Sequence, residues 1–580
     1  MMQNARRPIV ALFLAVSVMT MGCQTVVEPA SVKPDVRSGT QDWDAFSVRF
    51  LEWYFAAHPN VAVWAGRHEY DGGLPDWSAA GFKRIIDRLH TEHEVAERFR
   101  VDGLDRAQRF EREMLLAKID GDLFWLESAQ WPFRSPAFYG RALDPAVYVS
   151  RAYAPLGARM RAYIAYANGI PAALNEIRHN LRTPLPRSYI QIGHIIFGGL
   201  ARFYEQEVPA IFRAVDDPRL QEDFRVANNG AIKAMRALDE WLTVQEPNAT
   251  EDFALGQQKF EEMLRATERV DVPLDRLKQI GEADLDRNLK ALHNTCIAID
   301  PRQNDKACVA KVLADKPSDS SVDAARRQLD ELRTFVVTHS LVSIPGPEQA
   351  TTKESPPYMR WNPAYIDIPG PYERNLPSTY YIAPPDPNWS KAEQASYIPA
   401  KADLLFISAH EVWPGHFLQF LHSNRTPSKL GQVFISYAFS EGWAHYSEEM
   451  MWEAGLGDGD PKTHVGQLVL ALLRDVRYLS AIGLHTAGMT VAESEAMFRE
   501  KAFQDAGNAR QQAARGTFDP AYGNYTLGKL MIRKLREEWT ANHGGRSSWK
   551  AFHDEFLDHG APPIPLVRRV MLGEETGPPL

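Results

Sequence analysis

The residues best suited to chemistry lie in two short stretches, Ser408–His416 and Glu441–Glu448. His410 is followed directly by Glu411, a pair typical of the helix on which zinc peptidases bind metal through histidine and activate water through glutamate. In the usual motif a second histidine follows four residues after the first, so both lie on one helix face. Here the candidate, His416, lies six residues on, roughly 240° around an ideal helix. A regular helix would therefore point the two imidazoles in different directions.

The residues between the histidines predict a break in the helix. Pro414 lacks a backbone N–H, and its ring would clash with the carbonyl of His410 four residues earlier. Gly415 tolerates backbone conformations that other residues avoid. A widened or broken turn at this point is expected to bring His416 back beside His410. His422 lies six residues further on and is expected to be beyond reach of the same ion.

Glu441 is the natural third ligand of a metal held by His410 and His416. Catalytic zinc sites commonly take three protein ligands and keep one position open for water or substrate. Glu411 would then be the general base toward the attacking water and the proton carrier to the leaving amine. The alternative is that both histidines are ordinary helix-end residues beside an incidental glutamate. The apolar run 404–407 and the second carboxylate-bearing helix favour the metal, so the sequence predicts a Zn²⁺ site.

The segments His410–His416 and Glu441–Ala444 resemble the signatures of the domain-of-unknown-function 885 family. That family is mostly bacterial, often lipoprotein, and is regarded as zinc-peptidase-like. Its fold is similar to the largely helical gluzincin peptidases, including the Taq-type carboxypeptidases. The resemblance is strongest over residues 400–535 and looser over 50–400. It implies a mainly α, large helical gluzincin-like metallopeptidase fold with a small β element beside the active-site cleft.

The resemblance also carries over two arginines, Arg474 and Arg477. A buried arginine in an apolar helix is costly unless it is paired. Either residue would therefore pair with Glu441 or Glu448, or bind a carboxylate of the peptide substrate. Ordinary surface charge is the alternative for both.

Two further residues are implied as donors to the oxyanion that forms during amide hydrolysis. Tyr525 lies in a Tyr-x-x-Gly pattern that resembles the segment placing a tyrosine near the metal in the family, and His485 is the second candidate. Both are also compatible with a role in the core. His445 lies where the family usually carries an apolar residue, so we expect it to orient a ligand rather than to bind metal.

The elements that must position these residues are mostly helices. Apolar residues recur at three- and four-residue spacing through 105–127, 155–182, 218–243 and 251–267. We therefore predict an N-terminal helical half over residues 41–342 and a catalytic half over 343–580, within one continuous family domain.

The exception to this helical pattern is the stretch 343–399, which is rich in proline and tyrosine and predicts short strands and turns rather than helices. Tyr380 lies in the segment Thr379–Ala383, which would either pair with the substrate backbone or form a structural hairpin. In the N-terminal half, His68 is expected to be a solvated loop histidine.

The first forty residues read as an export signal and a linker. Arg6 and Arg7 precede an apolar stretch that ends at Gly22-Cys23, which predicts a lipoprotein signal peptide over residues 1–22 with lipidation at Cys23. Residues 23–40 read as a flexible tether. The protein is therefore expected in the bacterial cell envelope, lipid-anchored and facing the periplasm, with plain secretion as the alternative.

Composition and net charge limit the classes of partner that the protein is expected to bind. The chain has 580 residues and a formal net charge of −9, which argues against a nucleic-acid partner because no basic excess is present. Membrane contact is expected only through the anchor. With Cys23 lipidated, Cys296 and Cys308 remain, and a pair in an exported protein predicts a disulfide, with two free thiols as the alternative. The sequence does not indicate an oligomeric state.

Together these patterns predict a zinc-dependent hydrolase, specifically a metallopeptidase acting on peptides. Two alternatives remain at this stage: a zinc hydrolase of another bond, such as an ester or a cell-wall amide, and a non-catalytic binding lipoprotein. Glu411 argues against the second, because a pure binder needs no base beside the metal.

Overall fold

The computed structural model describes residues 43–356, 359–360, 362–373, 375–385, 390–573 and 576–580. The predicted signal peptide 1–22, the anchor Cys23 and the tether 23–40 lie outside the described residues. Residues Trp43–Leu580 form one compact unit. Within the described part of the chain, no helix combines the length and the apolar character needed to cross a membrane.

The protein is mainly helical, as predicted. The helices that precede the sheet are α1 (Trp43–Ala57), α2 (Pro59–Ala65), α3 (Ala79–Arg98), α4 (Arg106–Leu123), α5 (Trp131–Arg134), α6 (Ala137–Gly140), α7 (Ala146–Ser150), α8 (Leu156–Asn180), α9 (Arg187–Gly193), α10 (Gly199–Gln206), α11 (Val208–Phe212), α12 (Pro218–Gln245), α13 (Gln257–Glu268), α14 (Leu274–Ile299), α15 (Asp305–Leu313) and α16 (Ser321–Thr338). Those that follow it are α17 (Lys391–Tyr397), α18 (Lys401–Glu411), α19 (His416–Ser423), α20 (Lys429–Val433), α21 (Tyr437–Glu453), α22 (Pro461–Thr486), α23 (Val491–Lys501), α24 (Ala506–Phe518), α25 (Asn524–Ala541), α26 (Trp549–Asp558) and α27 (Ile564–Leu572).

A small sheet lies in the stretch for which strands were predicted. Its strands are β1 (Ala350–Glu354), β2 (Ala364–Asp367) and β3 (Ser378–Ile382), in the order β1-β3-β2. β3 pairs in parallel with β1 and antiparallel with β2. The prediction missed the short helix α17, which begins nine residues after β3 ends.

The apolar core has two parts, and their division differs from the predicted halves. One cluster is built mainly by the helices between Trp43 and Leu242, and the other contains most of the buried apolar residues from Phe253 to Val567. Helices α13–α16 therefore pack with the C-terminal helices that carry the candidate site. The boundary predicted at 342/343 does not separate the two cores.

Cys296 and Cys308 form a disulfide that joins α14 to α15, which confirms the predicted pairing. Both cysteines are buried within the second core cluster. The bridge thus closes a short loop at the edge of the helices on which α22 packs.

His68 is not the solvated loop residue that was expected. Its ring stacks on Tyr153 with 3.6 Å between ring centroids. Nδ1 lies 3.1 Å from Asp71 and Nε2 lies 3.2 Å from Glu373, while Glu373 also pairs with Arg151 at 2.6 Å. Burial lowers the pKa of His68, but the two carboxylates outweigh it and raise the pKa to about 9. The histidine therefore ties the N-terminal helices to the segment between β2 and β3.

Candidate metal centre

The helix carrying His410 breaks where the sequence predicts. α18 ends at Glu411, and α19 begins at His416. In the turn between them, the Gly415 amide donates to the carbonyl of Ala409, six residues earlier, which makes the turn wider than a helical one. A Cβ at position 415 would collide with the His410 carbonyl oxygen, so this backbone path requires glycine. The predicted departure from regular helix is confirmed.

Helix α21 places Glu441 beside the break between α18 and α19. The helix begins after Ser436, whose hydroxyl caps it by accepting from the Phe439 amide at 3.0 Å. One turn later, the Trp443 indole donates to the Pro414 carbonyl at 2.8 Å, which fixes the helix against the turn between the histidines. The Glu-Gly-Trp sequence therefore places a carboxylate and an anchor two residues apart on one helix, on different sides of it.

Three candidate ligand atoms meet beside the break between α18 and α19. The residues that carry them, His410, His416 and Glu441, are called the metal group below. Nε2 of His410 lies 3.4 Å, and Nε2 of His416 3.3 Å, from Oε2 of Glu441. Tetrahedral zinc with bonds of about 2.0–2.1 Å separates its ligand atoms by about 3.3–3.4 Å. Among the described residues these three form the one group of histidine, cysteine or acidic side chains, with ligand atoms within 4.8 Å of one another, that could hold a metal ion.

The charge of the Glu441 carboxylate also fits a bound cation. Burial by itself would raise the pKa of this carboxyl, but the imidazoles of His416 and His410, when protonated, lower it well below its usual range. Its Oε2 is buried and has no hydrogen-bond partner among the residues that the structure describes. A buried ionised oxygen without a donor is costly unless a cation binds it. The donor set therefore fits Zn²⁺, which takes histidine nitrogens and carboxylate oxygens.

The far nitrogen of each histidine is held by a neighbouring side chain. Nδ1 of His410 donates to Oε1 of Glu448 at 2.7 Å. Nδ1 of His416 lies 3.3 Å from the hydroxyl of Ser440, which in turn donates to Gln419 at 3.2 Å. With the hydrogen on Nδ1, each Nε2 lone pair points toward Glu441 and is free to bind metal.

Arg474 belongs to this support rather than to a substrate-binding surface. Its guanidinium lies 3.0 Å from Oε1 of Glu448 and also contacts His410. Burial raises the pKa of Glu448, but Arg474 and the hydrogen bonds from His410 and His445 lower it well below its usual range. Of the alternatives left open for Arg474, pairing with Glu448 is the one observed. His445 is fully buried, with Nδ1 3.4 Å from Glu448, and does not reach Glu441 or the other candidate ligands.

Glu411 lies at the end of α18, directly beside the convergent group. Burial raises the pKa of this carboxyl, while His410 and His416 partly oppose the increase. A raised pKa suits a general base that must take up a proton and release it again. Its role as general base stays a prediction, with which its raised pKa is compatible.

Tyr525 lies next to the metal group because α21 and α25 approach closely. Gly442 and Gly528 face each other, and a Cβ on either would collide with the backbone of the other helix. The Tyr525 ring stacks 6.1 Å from the ring of His410. Burial and the charge of Glu441 raise the pKa of its hydroxyl, which therefore stays protonated and able to donate. The tyrosine thus lies beside a candidate ligand, and its role as oxyanion donor stays a prediction.

Arg477 also lies close to the ring of Tyr525. Its guanidinium carbon is 5.0 Å from the Tyr525 ring centroid, and its Nε donates to Gln512 at 2.8 Å. Burial and the nearby Arg515 and Arg474 lower the pKa of this guanidinium. The two arginines of α22 thus have different surroundings.

His485 and Tyr380, by contrast, do not take up the roles predicted for them, although Tyr380 lies close enough to Glu411 for that carboxylate to raise the pKa of its hydroxyl in addition to burial. Nε2 of His485 donates to the Gly516 carbonyl at 2.7 Å and its Nδ1 accepts from the Leu255 amide at 3.3 Å, so it is a core histidine with both nitrogens used. Tyr380 is fully buried in β3, and its hydroxyl lies 3.4 Å from Ser408. Because β3 is paired on both sides, it has no free edge for a peptide. The predictions of an oxyanion donor at His485 and a substrate-binding strand at Tyr380 are corrected.

The sequence identified Glu448 as a partner for an arginine, but its hydrogen bond to His410 was not predicted. Glu448 follows Glu441 by two helical turns, a spacing that places both on one helix face. Ser440 and Gln419 have no comparable signal, because their contact with His416 depends on how α19 and α21 cross.

Comparison with known proteins places the chain in a group without an assigned function. No curated protein matches it. A structure of a protein from Shewanella oneidensis, provisionally classed as a lipoprotein of unknown function, superposes with a TM-score of 0.76 at 23% identity and covers 92% of this chain and 100% of that one. One from Colwellia psychrerythraea, provisionally classed as a lipoprotein, gives a TM-score of 0.76 at 15% identity and covers 92% and 98%. These similarities show a shared fold. The model of the family described as bacterial protein of unknown function (DUF885) matches residues 59–571, and the chain therefore belongs to that family.

Proposed function

We propose that this protein is a zinc-dependent metallopeptidase whose ligands are His410, His416 and Glu441. The observation that carries the proposal is the convergence of two imidazole nitrogens and an unpartnered buried carboxylate oxygen beside Glu411. A bound zinc ion would supply Lewis acidity toward the substrate carbonyl and the attacking water. The mainly helical fold is compatible with a gluzincin-like class, which is part of the same proposal.

The remaining chemistry belongs to residues of the chain. Glu411 accepts a proton from the attacking water and passes it to the leaving amine, a role supported by its raised pKa. The Tyr525 hydroxyl donates to the carbonyl oxygen as negative charge develops there. Glu448 and Ser440 hold the two histidines in the required tautomer and orientation.

The test is metal content combined with hydrolysis. Purified protein is expected to contain about one zinc per chain, to lose peptide hydrolysis on chelation and to regain it with zinc. A panel of peptides, esters and cell-wall amides, assayed side by side, identifies the bond that is cleaved. Protein that binds no zinc at micromolar concentration, or that hydrolyses peptides equally well after chelation, would contradict the proposal.

We further propose that the protein is a lipoprotein of the cell envelope, anchored at Cys23 and facing the periplasm. The signal-like segment 1–22 supports this proposal, as does the provisional classification of both similar structures as lipoproteins. Mass spectrometry of the mature N-terminus tests it. A diacylglyceryl cysteine is expected at position 23, and Cys23→Ala should abolish membrane association.

A further inference from the structure

Three arginines lie near Tyr525, and two of them have carboxylate partners. Arg474 pairs with Glu448 at 3.0 Å. Arg515 pairs with Asp519 at 3.0 Å. Arg477 differs from both, because no carboxylate among the described residues lies within ion-pairing distance of its guanidinium.

Arg477 is buried although it has no carboxylate partner. The residue is only 8% exposed, and its polar contact within the described chain is the hydrogen bond from Nε to the neutral side chain of Gln512. A buried cation without a counter-charge is expensive, and neighbouring cations add to the cost. Arg474 and Arg515, which interact with the same tyrosine, are such neighbours. An anion from outside the chain would remove this cost, and the planar fork of a guanidinium matches a carboxylate bidentately.

The distance between Arg477 and His410 limits how far the anion can lie from the bond that is cleaved. The Tyr525 ring lies 6.1 Å from the His410 ring and 5.0 Å from the Arg477 guanidinium carbon. By the sum of these distances, the guanidinium is at most about 11 Å from the His410 ring. An extended peptide spans about 3.3–3.6 Å per residue. Contacts at both ends take up part of the distance, so one residue, or two at most, fits between a carbonyl at the metal group and a carboxylate at Arg477.

We propose that Arg477 binds the C-terminal carboxylate of the substrate, which makes the enzyme a carboxypeptidase that releases one or two residues. This inference rests on the proposed metallopeptidase function. The reaction adds the oxygen of water to the acyl carbon, breaks the C–N bond and leaves a proton on the released amine, so it needs no other reactant. Arg474, held by Glu448, takes no part in carboxylate binding.

The experiment compares two N-acetylated peptide libraries of identical composition, one with free C-termini and one amidated, each containing Asp and Glu at every position. Wild-type zinc-loaded protein is expected to trim the free acids from the C-terminus and to act on the amides at least about 30-fold more slowly, as for loss of one partner of a buried charged pair. Mass spectrometry identifies the residues released. This comparison requires no variant.

A variant series then assigns the preference to Arg477. Arg477→Met should reduce the preference for acids over amides at least about 10-fold while retaining zinc, and Arg477→Lys should restore part of it by keeping the charge without the fork. The control is Arg510→Met on α24, an exposed arginine whose loss should leave the preference unchanged. Binding of the free-acid library, but not the amidated one, to the inactive Glu411→Gln variant gives a readout independent of turnover.

The outcomes separate the two proposals. Cleavage of acids and amides at equal rates, or at internal bonds, overturns carboxylate recognition and leaves the metallopeptidase intact. Cleavage of amides only beside Asp or Glu assigns Arg477 to a side-chain carboxylate and also overturns it. If neither library is cleaved and neither binds, both proposals fail.

Discussion

Replacing Glu448 with glutamine tests how far the proposed metal centre depends on a residue that is not one of its proposed ligands. Glu448 is fully buried, accepts from Nδ1 of His410 at 2.7 Å and pairs with Arg474 at 3.0 Å. Glutamine has a similar shape but no charge. It weakens the hold on His410 and leaves the buried Arg474 without its carboxylate.

Two effects of different size are expected from Glu448→Gln. Removing the carboxylate that orients a metal-binding histidine typically costs about 10–100-fold in metal affinity, or about 1.4–2.7 kcal/mol. Breaking a buried ion pair typically costs about 3–5 kcal/mol of folding stability, and solvent screening offers no relief because the two side chains are 0% and 8% exposed. The variant should therefore lose more folding stability than metal affinity.

The assays separate these effects. Zinc affinity is measured by competition with a chromophoric chelator, and the free energy of unfolding of the metal-free protein by urea denaturation. The double variant Glu448→Gln/Arg474→Met should recover part of the stability, because the orphaned charge is gone, but none of the metal affinity.

A matched control lies on the same helix. Glu453 pairs with Arg536 at 2.6 Å, away from the metal group, so Glu453→Gln should cost some stability and leave zinc affinity unchanged. Equal zinc affinity in Glu448→Gln and the wild type would refute the reasoning that this carboxylate orients His410.

Three further predictions concern the site and the disulfide. Glu411→Gln should abolish turnover while retaining zinc, because it removes the base and no ligand; near wild-type activity would exclude the mechanism. His416→Ala should lose most of the zinc affinity and His422→Ala little, since His422 contacts the Ser343 carbonyl at 2.9 Å instead; competition titration of both variants checks the order. Thiol titration of the denatured, unreduced mature protein should find neither Cys296 nor Cys308 free, and loss of the bridge should cost about 3 kcal/mol of unfolding free energy in the chain-entropy model.

Several features of the site could be predicted because they depend on local stereochemistry. Proline four residues after His410 cannot continue the helix, and glycine permits the path that follows, so the break before His416 is determined within seven residues. The Cys296–Cys308 pairing is likewise a matter of a short loop between two helices. Family resemblance, rather than periodicity, brought Tyr525 into consideration, and the close crossing of Gly442 and Gly528 explains its place.

Features that depend on partners far along the chain could not be predicted. Sequence places Arg474 and Arg477 one helical turn apart in similar surroundings, but only the packing of α21 and α24 against α22 gives one a carboxylate and the other a glutamine. β3 became a central strand only because β1 and β2 pair with its two edges, which leaves no strand edge at Tyr380 for a substrate backbone. Whether a polar side chain binds a metal, supports a ligand or belongs to the core depends on the atoms that face it. Those atoms belong to residues that lie tens to hundreds of positions away in the sequence. Composition and spacing therefore indicate which residues can do chemistry, whereas the tertiary contacts decide which of them meet.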